Sequence, residues 1–385
     1  MDKKRNESVC LDKQINSTMK KCLLLGYFGH RNLGDDLLYE EAMLKLPEEY
    51  EIMTLGCGEH LKEIAVRKIT RLPSLKSLIF TPPHLTIFNG GGVFPAKQYP
   101  LGTLLKHLII WMVSKKMIIN GVGIVPKKGY WNNFRFNLFL HMLHYISVRD
   151  DVSKQYVESL IGKRRCVNCH DLYFGKTLSS VSRKREGVLV CLANPFSKNE
   201  KENFYVNSRY LKLVAQVQEL LLVMKLKYGQ LTFMPFFLGS DEIFIQDVCQ
   251  HPSLNQSKVI TPYVDFQLKD VDTIFCQYEI GVCMRFHSFV LSVRNVLPFV
   301  GICYDHKSES LLAEMGLADV GVRYGIRNSQ FFGIEQDIDK DRLCECFQYV
   351  VQNERSIVET LNQFRQKYHQ QVNDNYKSIY SIIGQ

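Results

Sequence analysis

Leu85-Thr-Ile-Phe88 runs into Asn89-Gly90-Gly91-Gly92, and a helical stretch over Leu101–Val113 and a second apolar run, Met117–Ile119, follow. This stretch decides the fold class. A short apolar run that stops at a glycine turn, then a helix, then another apolar run is the signature of a parallel strand–helix–strand unit. The same alternation extends both ways. Upstream lie a strand over Cys22–Leu25 and a helix over Asp35–Leu46; downstream lie a helix around Trp131–Leu143, a strand at Tyr145–Val148 and a helix opening near Asp151. After the polar, basic stretch Lys176–Glu186 the pattern restarts, with strands at Val188–Leu192 and Leu231–Phe236 and helices at Arg209–Lys227 and Asp241–Cys249. Val259 to Ile260, Thr273–Cys276, Ile280–Cys283 and Phe299–Ile302 read as further strands, with a helix at Ser288–Arg294. Two helices close the chain.

The expected architecture is therefore α/β, with two Rossmann-like domains, each a doubly wound parallel sheet. The expected boundaries are a flexible tail at 1–20, a first domain at 21–178, a linker at 179–187, a second domain at 188–338 and a helical tail at 339–385. In such sheets ligands bind beyond the carboxyl ends of the strands, in a cleft between the two domains here.

Composition narrows the class. The 385 residues are 46% hydrophobic and 23% charged, which excludes a disordered or fibrous chain. Lys+Arg of 48 against Asp+Glu of 39 leaves +9, an excess that suits an anionic ligand or a membrane surface. The basic clusters are short and no nucleic-acid motif accompanies them, so no nucleic-acid partner is expected. The 12 cysteines are scattered, mostly within apolar runs, as reduced thiols in a cytosolic protein would be. Met1–Lys21 has no apolar core like that of a signal peptide, and Leu104–Ile119 is too interrupted by charge to span a bilayer. The basic excess and the amphipathic stretch Leu104–Lys116 permit a peripheral membrane contact.

Candidate site residues are those that follow the strands. Gly26-Tyr-Phe-Gly29-His-Arg-Asn32-Leu-Gly34-Asp35-Asp36 combines a backbone turn with a helix start; Asp35 or Asp36 is either an N-cap or a ligand contact. Three glycines at Gly90, Gly91 and Gly92 give up side-chain packing, so something requires the room. Gly121-Val-Gly-Ile-Val-Pro126 closes its strand in the same style. Arg149 and Arg285 each follow a strand, and a guanidinium there suits a carboxylate or phosphate. For Arg149 the competing reading is an ion pair with Asp150 or Asp151. His287, two residues beyond Arg285, is a proton-transfer candidate. Tyr304 and Lys307 follow the next strand, and Lys307 is either a phosphate contact or a solvated lysine. Cys166-Val-Asn-Cys169-His170 matches the string of covalent haem attachment, but the cytosolic setting favours an incidental pair. No second ligand pair with metal spacing accompanies it, and no metal is expected.

In order, the pieces Gly26-Tyr-Phe-Gly29…Asn32-Leu-Gly34-Asp35, Gly90–Gly92, Gly121–Pro126, Ser147-Val-Arg149-Asp150, Asp171, Met234-Pro235 with Asp241, Arg285-Phe-His287-Ser288, Pro298 and Tyr304-Asp-His-Lys307 resemble the polysaccharide pyruvyl transferase family over residues 22–317. The resemblance implies a GT-B-like fold and transfer of pyruvyl from phosphoenolpyruvate to a sugar of a cell-surface polysaccharide or its lipid-linked precursor, usually at the inner membrane face. A cyclic ketal forms and phosphate leaves, with no cofactor. The family's R-x-H donor site falls on Arg285 and His287, and a second donor arginine on Arg149. His287 would be the acid, Arg149 and Arg285 the anion clamp, and Asp35 the partner of an acceptor hydroxyl. Phe286 stands where relatives often carry leucine, and Asn194-Pro195 where many carry an arginine. Two other readings compete: a GT-B nucleotide-sugar glycosyltransferase of sialyltransferase type, and a non-catalytic member of the fold in a polysaccharide-assembly complex. The acceptor sugar and the oligomeric state have no legible code.

Overall fold

The computed structural model describes residues 19–94, 98–163, 166–177, 184–195, 204–324, 338 and 341–384. It contains two all-parallel sheets. The first has seven strands: β1 (Lys20–Leu25), β2 (Tyr50–Leu55), β3 (Ile69–Leu72), β4 (Leu85–Asn89), β5 (Lys116–Val122), β6 (Tyr145–Val148) and β7 (Val167–Asn168), in spatial order 3-2-1-4-5-6-7. Its helices are α1 (Leu33–Lys45), α2 (Ser77–Phe80), α3 (Leu101–Val113), α4 (Tyr130–His141) and α5 (Asp151–Ile161). The second sheet has six strands in order 10-9-8-11-12-13: β8 (Val188–Cys191), β9 (Leu231–Phe233), β10 (Lys258–Val259), β11 (Ile280–Cys283), β12 (Phe299–Cys303) and β13 (Gly321–Arg323). With it go α6 (Phe204–Tyr228), α7 (Asp241–Val248), α8 (Val271–Phe275), α9 (Phe286–Arg294) and α10 (His306–Glu314), and the chain ends in α11 (Arg342–Gln352) and α12 (Glu354–Gly384).

Both sheets are doubly wound, and in each the strand order reverses once, beside β1 and β4 in the first and β8 and β11 in the second. The central strands β4, β8, β11 and β12 are buried along their whole length, which is why they appear as unbroken apolar runs.

Several elements depart from expectation. β2, β3, β7 and β13 were not foreseen: they lie toward the sheet edges, and Glu51, Thr70 and Arg71 interrupt the apolar pattern of β2 and β3. Thr273–Cys276 was expected to be a strand, yet Val271–Phe275 is a helical turn. Gln267 and Asp270 form a capping box just ahead of it, and this local start signal outweighs the β-forming side chains. Lys20, expected in the tail, already pairs with Tyr50 in the sheet. Most of the expected linker, residues 179–183, lies outside the described residues, as do 178 and 1–18.

The two closing helices are not an appendage. α11 covers the second sheet, while α12 runs back across the first. There Tyr145 Oη donates to Asn375 Oδ1 (2.9 Å), Asn375 Nδ2 to Asn120 Oδ1 (2.8 Å) and Asn120 Nδ2 to Asn89 Oδ1 (2.8 Å). This chain of buried amides ties the C-terminal helix to the ends of β4 and β5.

Candidate active site

The cleft is stitched at its floor by backbone bonds. The Leu33 N–H donates to the Phe236 carbonyl (2.7 Å), the Leu238 N–H donates to the Arg31 carbonyl (3.1 Å), and Asn32 stands opposite Phe237 in an antiparallel bridge. Arg31 adopts φ +56° to make this turn. The loop after β1 is thereby fixed to the loop after β9.

α1 begins at Leu33, with Asn32 in the N-cap position and no side chain capping it. This corrects the capping reading of Asp35 and Asp36, because the first helical N–H is satisfied by Phe236 instead. The two carboxylates have separate environments. Asp36 turns inward, where Gly29 N–H donates to Oδ1 (2.7 Å) and Tyr263 Oη donates to Oδ2 (2.7 Å). Burial pushes its carboxyl up to about 7, against these hydrogen bonds. Asp35 faces the cleft on the first turn of α1. Burial raises its carboxyl as well, although His287, Arg149 and Lys307 pull it down.

A cavity of about 170 Å³ opens at this point. Asn32, Asp35, Gly91, Gly92 and Arg149 line it from the first sheet, and Arg285, His287, Tyr304 and Lys307 from the second. Gly90 does not line it. It adopts φ +53°, and a Cβ there would lie 2.7 Å from Leu38 Cδ1, so this glycine serves the packing of α1 on the turn. Gly91 makes room for Asp35: a Cβ would lie 2.4 Å from Oδ1.

The cations differ in how they are held. Arg149 is buried with its guanidinium 4.9 Å above the Phe286 ring and pressed against Gly123, where a Cβ would come within 2.6 Å of Nε. Its Nε finds no hydrogen-bond acceptor among the described residues. The ion pair weighed for Arg149 is loose, with Asp150 Oδ2 at 4.0 Å, and Asp150 itself accepts the Ser153 N–H at 2.7 Å to cap α5. Arg285 is held tightly. Its Nε lies 3.0 Å from Asp241 Oδ2, Nη2 donates to Oδ1, and Nη1 reaches Tyr304 Oη at 3.3 Å. Fully buried Asp241 also accepts the N–H groups of Phe237 (2.9 Å) and Asn194 (3.1 Å), so Asn194 enters through its backbone. Burial lowers the Lys307 ammonium to about 8, with nearby Arg149 adding to the effect. Lys307 thus stands at the cavity and not in solvent.

His287 is the second residue of α9. Its ring lies between Gly34 and Asp171: a Cβ at Gly34 would sit 1.9 Å from Nδ1, and Nε2 lies 3.4 Å from Asp171 Oδ2. Burial works to raise the Asp171 carboxyl, but the His287 and Arg149 charges outweigh it and hold the group below the ordinary carboxylate range. Asp171 thus holds the ring through Nε2, while Nδ1 lies against the Gly34 backbone. The N-termini of α1, α9 and α10 all open on this cavity, so their dipoles add to the positive potential there.

The sequence model of the polysaccharide pyruvyl transferases matches residues 32–306, most of the chain. The chain belongs to the polysaccharide pyruvyl transferase family. No curated protein matches it in sequence. Solved structures show the fold. UDP-GlcNAc 2-epimerase from Neisseria meningitidis, bound to UDP-GlcNAc, superposes with TM-score 0.53 at 11% identity, covering 89% of this chain and 94% of that one. HepE of Anabaena, in complex with UDP and glucose, gives 0.54 at 9%, covering 95% and 99%. A glycosyltransferase from Rickettsia africae gives 0.54 at 9%, covering 94% and 97%. This pyruvyl transferase family member therefore has a GT-B architecture.

Asp171, Asp241 and Gly34 were named only as pieces of the family pattern, with no task of their own. Asp171 and Asp241 orient the His287 and Arg285 that were singled out, and Gly34 leaves space for His287. The one legible signal was their type, an acid or a glycine just past an apolar run. Phe236, Phe286 and Asp305, the last capping α10 through the Lys307 and Ser308 N–H groups, complete the wall. Cys166 and Cys169 are buried free thiols, each pushed up to about 12 chiefly by burial, and the His170 ring lies tilted against Tyr368 at 4.1 Å. The two thiols are core packing, while His170 lies 3.7 Å from Glu314 in a neighbouring pocket that shares Arg149, Phe286 and Lys307 with the cavity.

Proposed function

We propose that this enzyme transfers the pyruvyl group of phosphoenolpyruvate to two hydroxyls of one sugar in a polysaccharide or its lipid-linked precursor. The observation that carries the reading is the convergence of Arg149, Arg285, Lys307 and three helix N-termini on one small cavity that also holds His287 and Asp35. Such a site suits a small, multiply charged anion, and two guanidinium groups with an ammonium can engage carboxylate and phosphate separately.

The chemistry needs one proton added to the methylene carbon and two removed from sugar hydroxyls, one of which leaves with the phosphate. The His287 imidazole delivers the proton that makes C2 electrophilic, and Asp171 stabilises the imidazolium. Asp35, held ready to accept by its raised basicity, takes the proton of the first attacking hydroxyl. The second hydroxyl then displaces phosphate, whose charge Arg149, Arg285 and Lys307 stabilise as it departs. Products are the cyclic ketal and inorganic phosphate, so atoms balance without an oxidant or reductant.

Thermal unfolding tests the donor. A ligand that binds only the native state raises the midpoint by mass action. Phosphoenolpyruvate should raise it, and Arg149→Gln should abolish the rise. His287→Ala should keep the rise, and with a glycan acceptor it should lose phosphate release by a factor of about 10² or more. A midpoint that responds only to nucleotide sugars overturns the reading in favour of a glycosyltransferase.

A further inference from the structure

From Ile64 to Arg149 the chain contains no aspartate or glutamate, yet it carries 12 of the 48 Lys and Arg residues. The remaining sequence holds 36 basic against 39 acidic residues, so this one segment accounts for the whole positive excess. The segment forms α2, α3 and α4, which pack side by side over one face of the first sheet.

The outer surface of these helices is apolar where a solvated surface should be polar. On α3, Leu104 and Ile110 face the core, while Leu101, Leu105, Trp111 and Met112 are exposed. On α4, Phe136, Phe139 and Leu140 are buried, while Tyr130, Trp131, Phe134 and Leu138 are exposed, with Trp131, Phe134 and Leu138 at helical spacing. α2 adds exposed Ile79 and Phe80. Both tryptophans of the chain thus lie in solvent on one face. Single exposed apolar residues are ordinary, but ten of them on three helices that pack against one another mark an interaction site. Exposed Lys76, Lys106, Lys115 and Lys128 stand among these side chains.

We propose that this face docks on the surface of an anionic lipid bilayer. Aromatic rings and long apolar side chains suit the headgroup boundary, and a carboxylate-free basic field complements anionic lipids. A second copy of the chain would set like charge against like charge. The topology makes the docking useful. α3 and α4 start at the carboxyl ends of β4 and β5, the same sheet edge that carries Gly91, Gly92 and Gly123. A docked bilayer would then lie beside the first-sheet wall of the cleft, which carries Asp35. The surface stands apart from the cavity, so this inference holds or fails independently of the donor.

The two tryptophans report directly on the patch. With the full chain and phosphatidylcholine vesicles containing phosphatidylglycerol, the emission should shift to the blue and the protein should float with the vesicles. Pure phosphatidylcholine should give neither, and raising salt from about 0.1 M to about 0.5 M should release most of the protein. Met112→Ser/Phe134→Ser/Leu138→Ser and Lys106→Glu/Lys128→Glu should each weaken flotation by roughly tenfold with the thermal midpoint kept. The idea is overturned by no response to anionic vesicles, by equal binding to neutral ones, or by a blue shift that grows with protein concentration in the absence of lipid. The last outcome would make the face an interface between copies.

Discussion

At position 34 a side chain would have to share space with the His287 imidazole, since a Cβ would lie 1.9 Å from Nδ1. Gly34→Ala should therefore turn the ring off its Asp171 contact. We expect phosphate release to fall by about 10² or more, because a misplaced acid loses most of its contribution. Displacing a buried ring costs about 1–3 kcal/mol, so the thermal midpoint should fall by a few degrees while the protein stays folded. Unchanged turnover in this variant would remove His287 from the mechanism. Lys307 gives a second test at the residue scale. Its ammonium is lowered to about 8, so it is charged below that pH and loses its charge as pH rises through it. Phosphoenolpyruvate affinity should weaken above pH 8, and Lys307→Arg should remove that dependence, because a guanidinium stays protonated. Titration calorimetry at two pH values decides it.

Elements meet through Asp36, which joins α1 to the turn at Gly29 and to Tyr263 of the second sheet's loops. Its carboxyl is raised to about 7 in the fold, above the ~4 of an unfolded chain. The native state therefore holds this proton more tightly than the unfolded state does. The stabilisation is full below the unfolded value and is lost as pH rises through 7. Asp36→Asn stays neutral and can keep both contacts, its amide donating to Tyr263 Oη. The mutant should lose part of the stability difference between pH 5 and pH 8 that urea unfolding shows for the parent. An identical pH profile would mean that Asp36 is ionised in the folded protein.

Across the whole molecule, α12 brings Ile357, Leu361, Tyr368, Val372, Tyr376 and Ile379 into the core, along with the amide chain through Asn375. Burying each such side chain contributes ~1.5–3 kcal/mol, and a domain's net stability is only ~5–15 kcal/mol. A chain ending at Asn353 should therefore lack a cooperative thermal transition, and a sharp transition in it would show that α12 is dispensable. Two sheets of parallel strands and most of the cavity residues were legible in the sequence. Buried strands show as apolar runs, and glycines and arginines that interrupt such runs carry a cost that something must offset. β2, β3 and the turn at Val271–Phe275 were not legible, because edge strands keep a polar side and a five-residue helix depends on its cap. By itself, the sequence determined the fold class, the strand-end identity of Asn32, Asp35, Arg149, Arg285, His287 and Lys307, and the carboxylate-free run from Ile64 to Arg149. Only the tertiary structure decided that Asp241 occupies Arg285, that Asp171 faces His287, that Gly90 belongs to packing and that the basic run presents its aromatic rings outward. Those facts depend on which side chains meet across sheets and helices distant in sequence, and local pattern carries no record of such encounters.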